Sequence, residues 1–97
     1  MKVSLTPEAE RELVEGSAFY AREAAAQLGQ DFITEFERTC GLLRQFPLLG
    51  AAWRGRIRRL PLRRFPYSIV YYVREAEIRI LAIAHQRRRP GFWGGRR

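Results

Sequence analysis

His85 is the one histidine in 97 residues and Cys40 the one cysteine, so acid–base or nucleophilic chemistry has few places to start. An imidazole titrates near neutrality and can act as general acid or base. Arginines are abundant in the same half of the chain, among them Arg58, Arg59, Arg63, Arg64 and Arg87. Their planar forks suit bidentate contact with phosphate or carboxylate. Imidazole plus guanidinium is equipment for phosphoryl chemistry, but the same residues have a non-reacting reading: a strand-end imidazole bonded to backbone or to a neighbouring tail, and a basic surface that only binds. Cys40 falls on an apolar helical stripe and reads as a core thiol. A lone cysteine excludes an intrachain disulfide and a cysteine-rich metal site, and neither metal nor cofactor is expected.

The 18 basic and 10 acidic side chains leave a net charge of +8, which favours anionic partners. The charge is unevenly spread. Residues 1–47 carry Lys2, Arg11, Arg22, Arg38 and Arg44 against eight carboxylates, whereas residues 48–97 carry thirteen arginines against Glu75 and Glu77. A chain of this length buries roughly 60–70% of its unfolded surface, enough for one core and no second domain. One domain over residues 1–97 is expected, with residues 86–97 as a basic tail for which a flexible terminus is one expectation. Its longest uncharged apolar stretch, Phe65–Val73, is about half a membrane span, and no apolar leader is evident, so a cytoplasmic protein without membrane contact is expected.

The elements that must position these groups follow from periodicity. Lys2–Thr6 alternates and reads as a short strand ending at a helix start, with Thr6 as cap, Pro7 at the first helical position and Glu8, Glu10 and Glu12 near the positive end of the dipole. Ala9, Leu13, Gly16 or Ser17, Tyr20 and Ala24 share one helical face. Leu28, Phe32, Phe36, Cys40, Leu43 and Phe46 share another, closed by Pro47 and Gly50. Two helices so closely linked form an antiparallel hairpin. Arg56–Arg64 reads as an arginine-rich strand with Leu60 and Leu62 on one face and Pro61 at an edge or bulge. Tyr67–Val73 is a strand by composition, Arg74–Glu77 a turn, and Ile78–His85 the third strand of a meander. The fold class is therefore α+β.

Three stretches, taken in order, resemble a known family: Val3-Ser-Leu-Thr-Pro-Glu-Ala9, Arg63-Arg-Phe-Pro-Tyr-Ser-Ile-Val-Tyr71, and Ile80-Leu-Ala-Ile-Ala-His-Gln-Arg-Arg-Arg-Pro-Gly-Phe-Trp93. Together they are similar to the RelE/ParE toxins of type II toxin-antitoxin systems. The resemblance implies a small twisted antiparallel sheet, made of the N-terminal strand and the meander, packed on the helical hairpin. It also implies a cognate antitoxin that lays a helix or strand across the toxin, and an acidic segment of that partner would complement the basic strands and tail. Two activities divide the family, ribosome-dependent mRNA cleavage in the RelE branch and poisoning of DNA gyrase in the ParE branch.

A nuclease of the first kind would use His85 with Arg64 and Arg87. Against it, the nucleases carry an arginine within the strand matching Tyr67–Val73, where this chain has Ser68. They also use an acidic or lysine base on the preceding strand, and no lysine lies there and no carboxylate between Glu37 and Glu75. The Phe65-Pro66-Tyr67 lead and the spacing of His85, Pro90 and Trp93 fit the ParE branch better. A non-enzymatic gyrase inhibitor is the favoured expectation, with the mRNA endoribonuclease and a non-toxic nucleic-acid-binding module as alternatives. The target surface is expected at Arg58, Arg59, Arg63, Arg64, Arg87, Arg88, Arg89 and Trp93. The antitoxin seat is expected at Val14, Ala18, Phe19 and Ile33, which fall outside the main core stripes. For Phe92 and Trp93 a third possibility is docking onto the protein's own sheet.

Overall fold

The computed structural model describes residues 1–97. Strand β1 (Lys2–Leu5) leads into helices α1 (Pro7–Glu23) and α2 (Ala26–Gln45), followed by strands β2 (Ala51–Arg54), β3 (Ile57–Pro61), β4 (Tyr67–Arg74) and β5 (Glu77–His85). They form one sheet in the order β1-β5-β4-β3-β2. The helical hairpin and the meander are as expected, with two differences. β1 pairs with β5 in parallel, through Lys2↔Glu77 to Leu5↔Ile80, so the sheet is mixed. Alternation within a strand is the same in either direction, and only the path of the intervening chain fixes it. The meander also gains a strand, because Ala51–Arg54 pairs antiparallel with β3. Its four residues are too short and too rich in alanine to announce a strand.

Thr6 organises the start of α1. Its Oγ1 accepts from the Ala9 N–H at 3.1 Å and donates to the Leu81 carbonyl at 3.1 Å, so the helix cap is also a bond to β5. β5 is irregular there: Val70 pairs with Ala82 but Tyr71 with Ile80, leaving Leu81 as the extra residue of a β-bulge. The bulge resets the alternation, putting Ile78, Ile80 and Ile83 on the helix side and Leu81, Ala82 and Ala84 on the other.

The helices approach closely where glycine allows it. A Cβ on Gly29 would lie 2.6 Å from the Ser17 carbonyl oxygen, and Ser17 Oγ donates to the Gly29 carbonyl at 3.0 Å. Their inner faces, with Ala9, Phe32, Phe36, Cys40 and Leu43, cover Ile69, Tyr71, Ile78, Ile80 and Ile83. Phe46, expected to end the α2 stripe, is 57% exposed. The helix stops at Gln45 and the Phe46 backbone (φ −130°, ψ 76°) turns the ring outward. Tyr71 pins the following link, donating to the Pro47 carbonyl at 2.7 Å and accepting from the Gly50 N–H at 2.9 Å.

The opposite sheet face has its own core of Val70, Tyr72, Leu81, Ala82, Ala84 and Trp93, with Trp53, Ile57 and Phe92 packed around it. The tail is therefore ordered onto the sheet. Gly91, at φ +89°, turns the chain beside the Trp53 ring and lets Phe92 and Trp93 fold under. Trp93 meets Trp53 edge-on with centroids 5.0 Å apart. Arg96 then closes the segment, bonding Glu12 Oε1 at 2.9 Å and Oε2 at 3.1 Å and the Leu81 carbonyl at 3.1 Å.

Candidate interaction surfaces

The arginines do not make one surface. Arg63 and Arg64 sit in the loop before β4, and Arg87, Arg88 and Arg89 follow the end of β5. Tyr67↔His85 pairing and the bond from the Gln86 N–H to the Pro66 carbonyl place both groups at one end of the sheet. Arg54, Arg56, Arg74, Arg96 and Arg97 converge at the other end, around Tyr72, on a concavity of about 630 Å³. Seven residue steps of β4 separate the ends, roughly 23 Å at about 3.3 Å per residue. This second group was missed in the sequence. Its arginines were visible, but only strand register brings the β2–β3 turn, the β4–β5 turn and the tail together.

The expected target residues thus divide. Arg58 turns toward the α2–β2 link, where it bonds the Leu48 carbonyl at 3.2 Å and the Gly50 carbonyl at 2.8 Å. Arg59 lies on the tail-side face, in a concavity of about 300 Å³ with Trp53, Pro61 and Ser68. Arg63, Arg87 and Arg89 are exposed, and Arg88 stacks over the Phe92 ring at 3.8 Å. Trp93 departs from the expectation: at 2% exposure it has no surface to offer a target, because the tail carries it into the second core. Docking onto the protein's own sheet is the reading that holds.

The loop carrying Arg63 and Arg64 is fixed by Glu35. This carboxylate of α2 accepts from the Arg63 N–H at 2.7 Å and from Arg38 Nε and Nη2 at 2.8 Å each. The Arg38 bonds are the main cause that holds its pKa below the ordinary carboxylate value, with the Arg63 N–H helping and burial opposing. Arg64 adopts φ +69°, a left-handed conformation rare outside glycine, and reaches Asp31 at 3.4 Å. Nothing in the sequence marks Glu35 for this task, since its neighbours Arg38 and Thr39 are ordinary helical residues.

His85 is not set among catalytic partners. Its Nδ1 accepts from the Arg87 N–H at 3.0 Å, and its ring meets Tyr67 edge-on at 4.9 Å. Arg87 and Arg88 share a concavity of about 280 Å³ with it, together with Phe19 and Tyr67, but Arg64 does not. Ser68 is buried, on the sheet face opposite the helices. The Cys40 thiol is pushed up to about 11, chiefly by burial, so it stays protonated at neutral pH and is no nucleophile. No group of three or more potential metal ligands occurs.

A family model described as the ParE toxin of the type II toxin-antitoxin system parDE matches residues 3–90. The chain belongs to the ParE toxin family. It is the toxin component of a type II toxin-antitoxin module, and membership implies a cognate antitoxin as partner. A solved structure, "Chromosomal ParDE TA system from P. aeruginosa", is similar in fold, with a TM-score of 0.76 and 24% identity over 88% of this chain and 95% of that one. No curated protein matches the sequence. No helix of this ParE-family toxin is long and apolar enough to cross a membrane.

The residues expected to seat the antitoxin lie on the outer helical surface. Val14 is 61% and Phe19 46% exposed, while Ala18 and Ile33 are half-buried. A further apolar group, Phe46, Leu48 and Leu49, is exposed where α2 runs into β2. Of these only Phe46 drew attention in the sequence, and there as a core residue.

Proposed function

We propose that this toxin arrests growth in the cytoplasm by inhibiting DNA gyrase, as a binding protein and not as an enzyme. The observation that carries this reading is the match to the ParE family over residues 3–90, the branch associated with gyrase by the resemblance. The site chemistry supports it. His85 is occupied by backbone and ring contacts without a carboxylate or lysine partner, and Arg64 is engaged by Asp31. Inhibition of a topoisomerase needs a complementary surface and no catalytic group.

The end formed by Arg63, Arg64, Arg87, Arg88 and Arg89 is the contact surface in this reading, with Trp93 holding it from beneath as part of the tail. The antitoxin seats on Val14, Ala18, Phe19 and Ile33 and brings an acidic segment to the arginines. Expression in cells tests the target. Filamentation and a DNA-damage response with intact mRNA are expected, and purified gyrase should lose supercoiling activity on adding the toxin. Replacing Arg63, Arg87 and Arg89 together by Gln should weaken that inhibition at least about tenfold, the loss of one or more charge-assisted contacts. Immediate translation arrest with cleaved transcripts, abolished by His85→Ala, would replace this reading with the nuclease.

A further inference from the structure

The concavity around Tyr72, at the end of the sheet away from His85, has five arginines among its nine lining residues. Arg74 pairs with Glu77 at 3.0 Å and Arg96 with Glu12 at 2.9 Å, but Arg54, Arg56 and Arg97 have no carboxylate partner. Four of the lining arginines lie over aromatic rings: Arg56 over Tyr72 at 4.3 Å, Arg54 over Trp53 at 4.6 Å, Arg96 over Phe92 at 5.1 Å and Arg74 over Tyr72 at 5.9 Å. Arg79 Nη2 bonds the Arg97 carbonyl at 2.8 Å and holds the last residue at the rim. The three unpaired guanidiniums repel one another and raise the local potential, and an anion bound among them removes that cost.

We infer that this concavity binds the phosphodiester backbone of a nucleic acid, without reading its sequence. One feature favours phosphate over an acidic peptide. Tyr72, the central apolar group, is buried beneath Arg56 and Arg74, so it offers no pocket for an apolar side chain. The same cover keeps bases from stacking on its ring and leaves charge as the recognition. This inference does not rest on gyrase being the target. It adds a nucleic-acid contact about one sheet length from the arginines assigned to the protein target.

The test is fluorescence anisotropy of the full chain with a labelled mixed-sequence 20-base-pair DNA duplex and with one of its single strands. The triple variant R54Q/R56Q/R97Q alters exposed side chains without carboxylate partners and leaves the thermal midpoint unchanged. Its affinity for both probes is expected to fall at least about tenfold, and the slope of log affinity against log salt to drop by about two to three for the duplex. The corresponding Lys triple retains affinity to within about threefold, because phosphate accepts a point charge. R63Q/R87Q/R89Q at the other end changes affinity less than about twofold. Equal losses in the two Gln triples would mean diffuse charge and overturn the proposal, as would no loss in the first. A Glu-rich peptide that binds the protein more tightly than either probe at the same ionic strength, and loses that affinity in R54Q/R56Q/R97Q, would assign the concavity to a protein partner instead.

Discussion

The two faces of the sheet are closed in different ways. Toward the helices, residues from α1, α2, β1, β4 and β5 interlock in one large cluster, and close contacts at Gly16 and Gly29 set the spacing. Toward the tail, one indole with its neighbours Trp53 and Phe92 does most of the covering, and the Arg96–Glu12 ion pair with bonds from Arg96 to Leu81 and from Arg79 to Arg97 holds the end down. Burial spread over many side chains tolerates the loss of one. A lid that depends on one ring does not, so the tail-covered face is where local opening is expected first.

Trp93→Ala is the strongest way to break this asymmetry. Removing a buried aromatic costs about 3–5 kcal/mol, read by urea denaturation, and amides of the tail should lose hydrogen-exchange protection while those of α2 keep theirs. A loss under about 1 kcal/mol would mean that the tail covers nothing essential. On the helix side, Gly29→Ala forces a Cβ toward the Ser17 carbonyl, a clash with backbone that no side-chain rotation relieves. It is expected to cost about 1–3 kcal/mol in the same measurement. Unchanged stability would show that the hairpin slides freely, contrary to the close packing described.

Arg96→Met is expected to cost about 1–2 kcal/mol, with faster exchange at the tail, because it removes charge-assisted bonds to Glu12 but leaves Glu12 accepting from the Ile83 N–H. The smallest effect sharpens the comparison on the helix side. Glu35 has a lower pKa folded than unfolded, so its ionised form contributes stability above the ordinary carboxylate value, and this is lost as pH falls through the folded value. The stability gap between the wild type and Glu35→Gln should therefore narrow below pH 4.5, the ordinary value for this group. A gap that stays constant with pH would remove Glu35 as the clamp of the Arg63 loop.

Much of the helix-covered half was legible in the sequence. The Thr6-Pro7 start, the two stripes and the apolar Tyr67–Val73 run each carry their own local signature, since capping, helical period and β-branching act over a few residues. The tail gave an ambiguous signal, because Phe92 and Trp93 beside arginines fit an interface and a docked plug equally well. The target arginines are legible as residue types, but the structure spreads them over the α2–β2 link, the tail-side face and one end of the sheet. Strand register sorts them, and register is invisible in a list of residue types.

By itself the sequence determined an α+β domain with acidic helices and basic strands, and its ordered motifs pointed to the RelE/ParE toxins. These properties rest on local periodicity and composition, so each short stretch carries its share of the answer. Only the tertiary structure decided that β1 runs parallel to β5, that Leu81 bulges and turns both faces of β5 into core, and that Trp93 lies inside. It also decided that arginines distant in sequence meet around Tyr72. Each of these depends on which segments lie side by side, and pairing between distant segments is settled by the packing of the whole chain.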